Sequence, residues 1–143
     1  MKTRLSIAVA LTTLAAATAA AASASDVPRF VGCSGFAKQP AGSTGVVRPH
    51  SIVVACGDGN FWIGSLHWKT WSATGATAVG SAHQNDCVPY CAAGHFHAYP
   101  ASVTLSGAHQ CAGKVELTRI SWRFTKAKPA RVPRAGSETF RCA

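Results

Sequence analysis

Six cysteines constrain this chain more than any other feature. Cys33, Cys56, Cys87, Cys91, Cys111 and Cys142 all follow an N-terminal stretch laid out like an export signal. Lys2 and Arg4 form a short positive start, Leu5 to Ala22 carry no charge, and Ala22-Ser23-Ala24 is a small-x-small site. Cleavage is expected after Ala24, making residues 1–24 a signal peptide and 25–143 a single secreted domain. No cysteine stands at the cleavage point to take a lipid, and no membrane span is expected after processing. In an oxidising compartment the six cysteines then predict three disulfides. The separation of Cys87 and Cys91 on an extended chain holds their Cα atoms beyond disulfide reach. The expected pairing therefore joins Cys33 to Cys142 and bonds Cys87 and Cys91 separately to Cys56 and Cys111. A bridge between the termini would stabilise by about 4–5 kcal/mol on the chain-entropy model.

A domain of this length buries roughly two-thirds of its unfolded surface, enough for a core that the disulfides reinforce. Taking Lys2 and Arg4 from the 14 Lys/Arg leaves 12 against 5 acids, a net charge of +7 with histidines neutral. Arg119, Arg123, Lys126, Lys128, Arg131, Arg134 and Arg141 crowd the last quarter against Glu138 alone. A positive field of this kind attracts anionic polymers, anionic surfaces or acidic proteins without specifying any of them.

No segment has helical period, β-branched and aromatic residues come in short runs, and turn residues recur between them. The pattern predicts an all-β fold, a small sandwich or barrel. Residues 51–68 read as a β-hairpin turning at Gly57-Asp58-Gly59-Asn60, where Asp58 has a turn role. On an unbroken pleat Trp62, Leu66 and Trp68 share a face and Trp71 opposes them. Either the strand bulges near Lys69 or Trp71 packs elsewhere, which makes Trp71 the candidate for a surface contact. Residues 72–83, rich in Ala, Gly and Thr, read as a strand or loop close to another backbone. Residues 84–94 read as a cross-linked loop. Tyr99, Ala101, Val103 and Leu105 alternate with polar residues or proline as a half-buried strand does. Val115 and Leu117 are out of phase with Ile120, Trp122 and Phe124, and a bulge near Thr118-Arg119 would restore one inward face and turn Arg119 and Arg123 outward. Residues 126–136 read as an exposed loop and 137–142 as a closing strand.

Three spaced motifs carry a resemblance: Cys-Gly-Asp-Gly-Asn at 56–60, Leu66-x-Trp68-x-x-Trp71, and Asn85-x-Cys87-x-Pro89-x-Cys91-Ala92-x-Gly94. Together they resemble a group of small secreted proteins of actinobacteria, over roughly residues 48–125. The resemblance implies export and a shared fold, and it carries over no catalytic residue and no ligand.

His95-Phe96-His97 is the one arrangement with metal-ligand character, since residues two apart on a strand point the same way. His83 or His109 would have to complete such a site. No nucleophile elbow accompanies the histidines and acids, and a thiolate zinc site does not suit an oxidising compartment. The leading expectation is a non-catalytic, monomeric binding module for an anionic or protein partner, with no metal and no cofactor. Its contacts come from Arg119, Arg123, Lys126, Lys128, Arg131 and Arg134, and from the Cys87–Cys91 loop. With no aromatics after Phe124 in the basic tract, sequence-specific nucleic-acid reading is not expected. The alternatives are a small metal-dependent or hydrolytic enzyme using His95 and His97, a structural envelope component, or an inhibitor presenting its stiff cross-linked loop.

Overall fold

The computed structural model describes residues 27–33 and 45–142; the expected signal segment and its cleavage site lie outside the described residues. Seven strands form one curled sheet, a half-barrel: β1 (Arg29–Phe30), β2 (Ile52–Val53), β3 (Phe61–Ser72), β4 (Gly75–Asn85), β5 (Phe96–Cys111), β6 (Lys114–Phe124) and β7 (Ala135–Thr139). The order is β1-β6-β5-β4-β3-β2. β1 and β7 share the outer edge of β6 end to end, β1 pairing in parallel at Glu116–Leu117 and β7 antiparallel over Arg119–Arg123. Among the described residues there is no α-helix, and no helix is long and apolar enough to cross a membrane.

Side chains on alternate residues build one inner face. Phe61, Ile63 and Leu66 from β3, Ala76, Ala78 and Ala82 from β4, Ala101, Val103 and Leu105 from β5, and Ile120 and Phe124 from β6 are all buried. Phe30, Ile52, Leu117 and Phe140 complete the core, Phe30 and Phe140 meeting edge to face at 5.5 Å. The small residues of β4 have a steric cause. A Cβ on Gly80 would lie 2.7 Å from the Gly64 carbonyl oxygen, so the sheet can bend there only around glycine. The Ala/Gly stretch is thus a central strand held against its neighbour's backbone.

Three expectations are corrected. First, β3 shifts register against β4 twice, between Gly64 and His67 and between Trp68 and Thr70. The second shift is the bulge expected near Lys69; the first, with Ser65 in the left-handed region at φ 50°, was not. Two extra residues put Phe61, Ile63, Leu66, Trp68 and Trp71 on the inner side. Trp62 is left on the outer face, stacked on His83 with ring centroids 3.8 Å apart. Trp71 is half-buried against the core and donates its indole N–H to the Pro28 carbonyl at 2.9 Å, so it is no surface contact.

Second, β6 changes phase without a bulge: its ladder with β5 keeps one register from Ala101↔Phe124 to Cys111↔Lys114. The irregularity is conformational. Gly107, at φ 70°, faces Thr118, whose hydroxyl donates to its carbonyl at 2.8 Å. Arg119 and Arg123 point outward as expected and are exposed.

Third, the disulfides are Cys33–Cys56, Cys87–Cys91 and Cys111–Cys142. Cys33 follows β1 into the region of β2, its Sγ 3.2 Å from the Val53 carbonyl oxygen, which places it beside Cys56. Cys142 runs on from Phe140, whose N–H bonds the Thr118 carbonyl at 2.8 Å, toward the β5–β6 turn that carries Cys111. Cys87 and Cys91 pair because the chain between them is folded back. Cys87 is left-handed at φ 54°, Cys91 opens a short 3-10 turn, and their Cα atoms are 3.7 Å apart.

Candidate functional site

The loop from β4 to β5 is organised by two side chains. Asn85, buried, accepts from the Cys87 N–H at 3.0 Å and donates to the Asn60 side chain and the Cys91 carbonyl, both at 2.8 Å. It therefore ties the cross-linked loop to the tip of the β2–β3 hairpin. There Asp58 accepts from the Asn60 N–H at 3.0 Å, the turn role expected of it. Asp86 holds the rest of the loop. Its Oδ1 accepts from the His95 N–H at 2.9 Å and the Val88 N–H at 3.1 Å, and its Oδ2 lies 2.9 Å from His97 Nε2. The His95 N–H foremost, then His97 and the Val88 N–H, hold the Asp86 carboxyl well below the usual carboxylate range.

The sign of that shift sets a pH dependence. A carboxylate with a depressed folded pKa contributes its stabilisation above the unfolded value, and loses it as pH falls through the folded one. The loop should therefore keep its order in acid where free carboxylates of ordinary pKa are already protonated. Asp86→Ala removes three interactions at once. The Val88 and His95 amides are expected to exchange with solvent about tenfold faster or more in this variant, with core amides unchanged, as read by hydrogen exchange.

Opposite this loop stands the basic segment between β6 and β7. It is held from within: Lys128 Nζ donates to the Val132 carbonyl at 2.8 Å, and Arg134 Nη1 to those of Lys126 at 2.9 Å and Phe124 at 3.2 Å. Two of the six bases read as partner contacts thus brace their own loop. Arg131 and Lys126 remain exposed on it, while Arg119 and Arg123 lie apart, on the outer face of the sheet. The six do not form a single patch.

The two loops meet around one cleft of about 530 Å³. Gln84, His97 and Tyr99 form its floor, Asp86 and Val88 one wall, and Pro129 to Val132 the other. Beside it the cross-linked loop presents Val88, 65% exposed, and Tyr90, 64% exposed. The sequence marks both loops but not their convergence, which depends on pairings far apart in the chain.

His97 uses Nε2 on Asp86, and His95 enters through its backbone. His83 lies on the opposite face of the sheet from His97, stacked under Trp62, and burial lowers its pKa. His109 pairs with Glu116 near the far end of β5, about 40 Å along the strand from His97. Neither reaches His97, and among the described residues no group of three or more His, Cys, Asp or Glu is placed to hold a metal ion.

No family model, curated protein or solved structure matches the chain.

Proposed function

We propose that the chain is an exported, non-catalytic binding module that engages a protein partner at the end of the half-barrel where the two loops meet. The observation that carries this reading is the shared cleft: a disulfide-closed loop with exposed Val88 and Tyr90 faces a self-braced basic loop with Arg131 free at its edge. Both walls are stiff before any partner arrives, so binding orders little further chain. Tyr is a favoured anchor at interfaces, and a nearby guanidinium suits a carboxylate on the partner. The partner surface should then be apolar with acidic residues around it. Three disulfides suit an oxidising compartment, in keeping with export.

Selection from a random dodecapeptide library on the oxidised protein tests this. Selected peptides should combine apolar with acidic residues and elute with salt. Tyr90→Ala and Arg131→Ala should each weaken them about tenfold or more. Peptides that bind both variants as tightly as the parent chain would remove the cleft from the account.

A further inference from the structure

The outer face of the sheet carries a second surface that neither loop contributes to. Read across the strands, the register places Thr70 opposite Thr77, Thr77 opposite Thr104, Thr104 opposite Ser121 and Ser121 opposite Ser137. One row of hydroxyls therefore crosses five strands, a span of about 19 Å at the usual strand spacing. Thr70 and Thr77 bond each other at 2.7 Å, and Ser137 accepts from Arg119 Nη2 at 2.7 Å. Thr104 is exposed and Ser121 half-exposed.

Two arginines flank this row. Arg119 and Arg123 sit two residues either side of Ser121 on β6, on the same outer face, about 13 Å apart along the strand. Ser102 lies opposite Arg123, and Ser106 and Thr139 opposite Arg119. A shallow groove of about 280 Å³ runs between Ser102, Thr104, Ser121 and Arg123. On this face the row and the rows two residues to either side of it include no Asp or Glu; Glu138, between Ser137 and Thr139, is opposite inward-facing Ile120 and belongs to the alternate side of the pleat. The core lies on the other side of the sheet, so the hydroxyl positions are not fixed by packing.

We infer that this face is a docking surface for an acidic polysaccharide. A row of hydroxyls along the convex outer face donates and accepts hydrogen bonds with sugar hydroxyls in any orientation. Arg119 and Arg123 pair with carboxylates along the polymer, the guanidinium fork matching a carboxylate bidentately. The site is extended because its ligand is a chain, and it is open because a chain must lie across it without an end to thread. A polyanion lacking sugar hydroxyls would use only the arginines, and a neutral glucan only the hydroxyls.

The probes are polygalacturonate, polyphosphate and neutral dextran, tested on the oxidised protein by affinity electrophoresis or calorimetry at low salt. Polygalacturonate should bind, more weakly as salt rises, and dextran should not be retained measurably. Arg119→Gln with Arg123→Gln should weaken polygalacturonate about tenfold or more. Thr77→Val with Thr104→Val keeps the charge and the strand preference; it should weaken polygalacturonate several-fold and leave polyphosphate unchanged. Lys126→Ala with Arg131→Ala, both on the loop between β6 and β7, should leave polygalacturonate binding intact, which separates this face from the cleft. Circular dichroism and melting temperature establish that each variant is folded. Failure of the parent chain to bind polygalacturonate, or undiminished binding by the double arginine variant, would overturn the proposal. Equal loss of polyphosphate and polygalacturonate in the threonine variant would reduce it to bare charge attraction and overturn the sugar assignment.

Discussion

Phe124→Ala should destabilise the protein by about 3–5 kcal/mol, because it removes a fully buried ring from the inner face. The ring is 1% exposed and lies among Phe61, at 6.4 Å between centroids, and Tyr99, at 5.9 Å and edge to face. These neighbours belong to two other strands of the curled sheet, so they cannot close onto the vacancy without moving the strands themselves. The same residue anchors the basic loop through its backbone, its N–H bonding the Arg134 carbonyl at 2.9 Å and its carbonyl accepting from the Arg134 guanidinium. Chemical denaturation should show a lower midpoint with an unchanged slope, and the melting temperature should fall by about 10–20 °C. Phe124→Leu, which fills much of the space, should recover more than half of the loss. An alanine variant within about 1 kcal/mol of the parent chain would mean that Phe124 does not occupy the core.

The second large effect is a ranking among the disulfides. Loop-closure entropy grows with the length of chain enclosed, and the sequence separations are 23, 4 and 31 for Cys33–Cys56, Cys87–Cys91 and Cys111–Cys142. Double replacement by alanine should therefore cost about 3–4 kcal/mol at either of the long bridges and about 2 kcal/mol at Cys87–Cys91. Removing the short bridge should act chiefly on the loop between β4 and β5, since its cysteines are not part of the buried core, whereas Cys33 and Cys111 are. Equilibrium denaturation of the three double variants reads the order. If the Cys87–Cys91 variant were the least stable of the three, the assigned pairing would be wrong.

Much of the fold was legible in local patterns, because those patterns report local backbone geometry. The alternation from Tyr99 to Leu105 gave the inward residues of β5, and Gly57 to Asn60 gave the hairpin turn with Asp58 as its acceptor. Arg119 and Arg123 were placed outward because period two forces it once Ile120 and Phe124 face the core. What failed depended on backbone states that composition does not encode. The first bulge in β3 needs Ser65 in the left-handed region, and without it Trp62 is assigned to the wrong face. Cys87 and Cys91 were held too far apart for the same reason: the argument assumed an extended chain, whereas Asn85 and Asp86 accept the N–H groups of Cys87 and Val88 and fold it back. The candidate site was legible in its parts but not as a site. Its two loops are about forty residues apart in sequence, and the antiparallel pairing of β5 with β6, which sets Phe124 beside Ala101, brings them to one end.

The claim on which the functional account stands is that both loops contact one partner. A titration of isotopically labelled, oxidised protein with a library-selected acidic peptide, followed amide by amide in nuclear magnetic resonance spectra, addresses it most directly. The account predicts that signals of Val88, Tyr90, Ala130, Arg131 and Val132 move together with one affinity. Shifts confined to a single loop, or lying on the outer strands around Thr104 and Ser121, would contradict it.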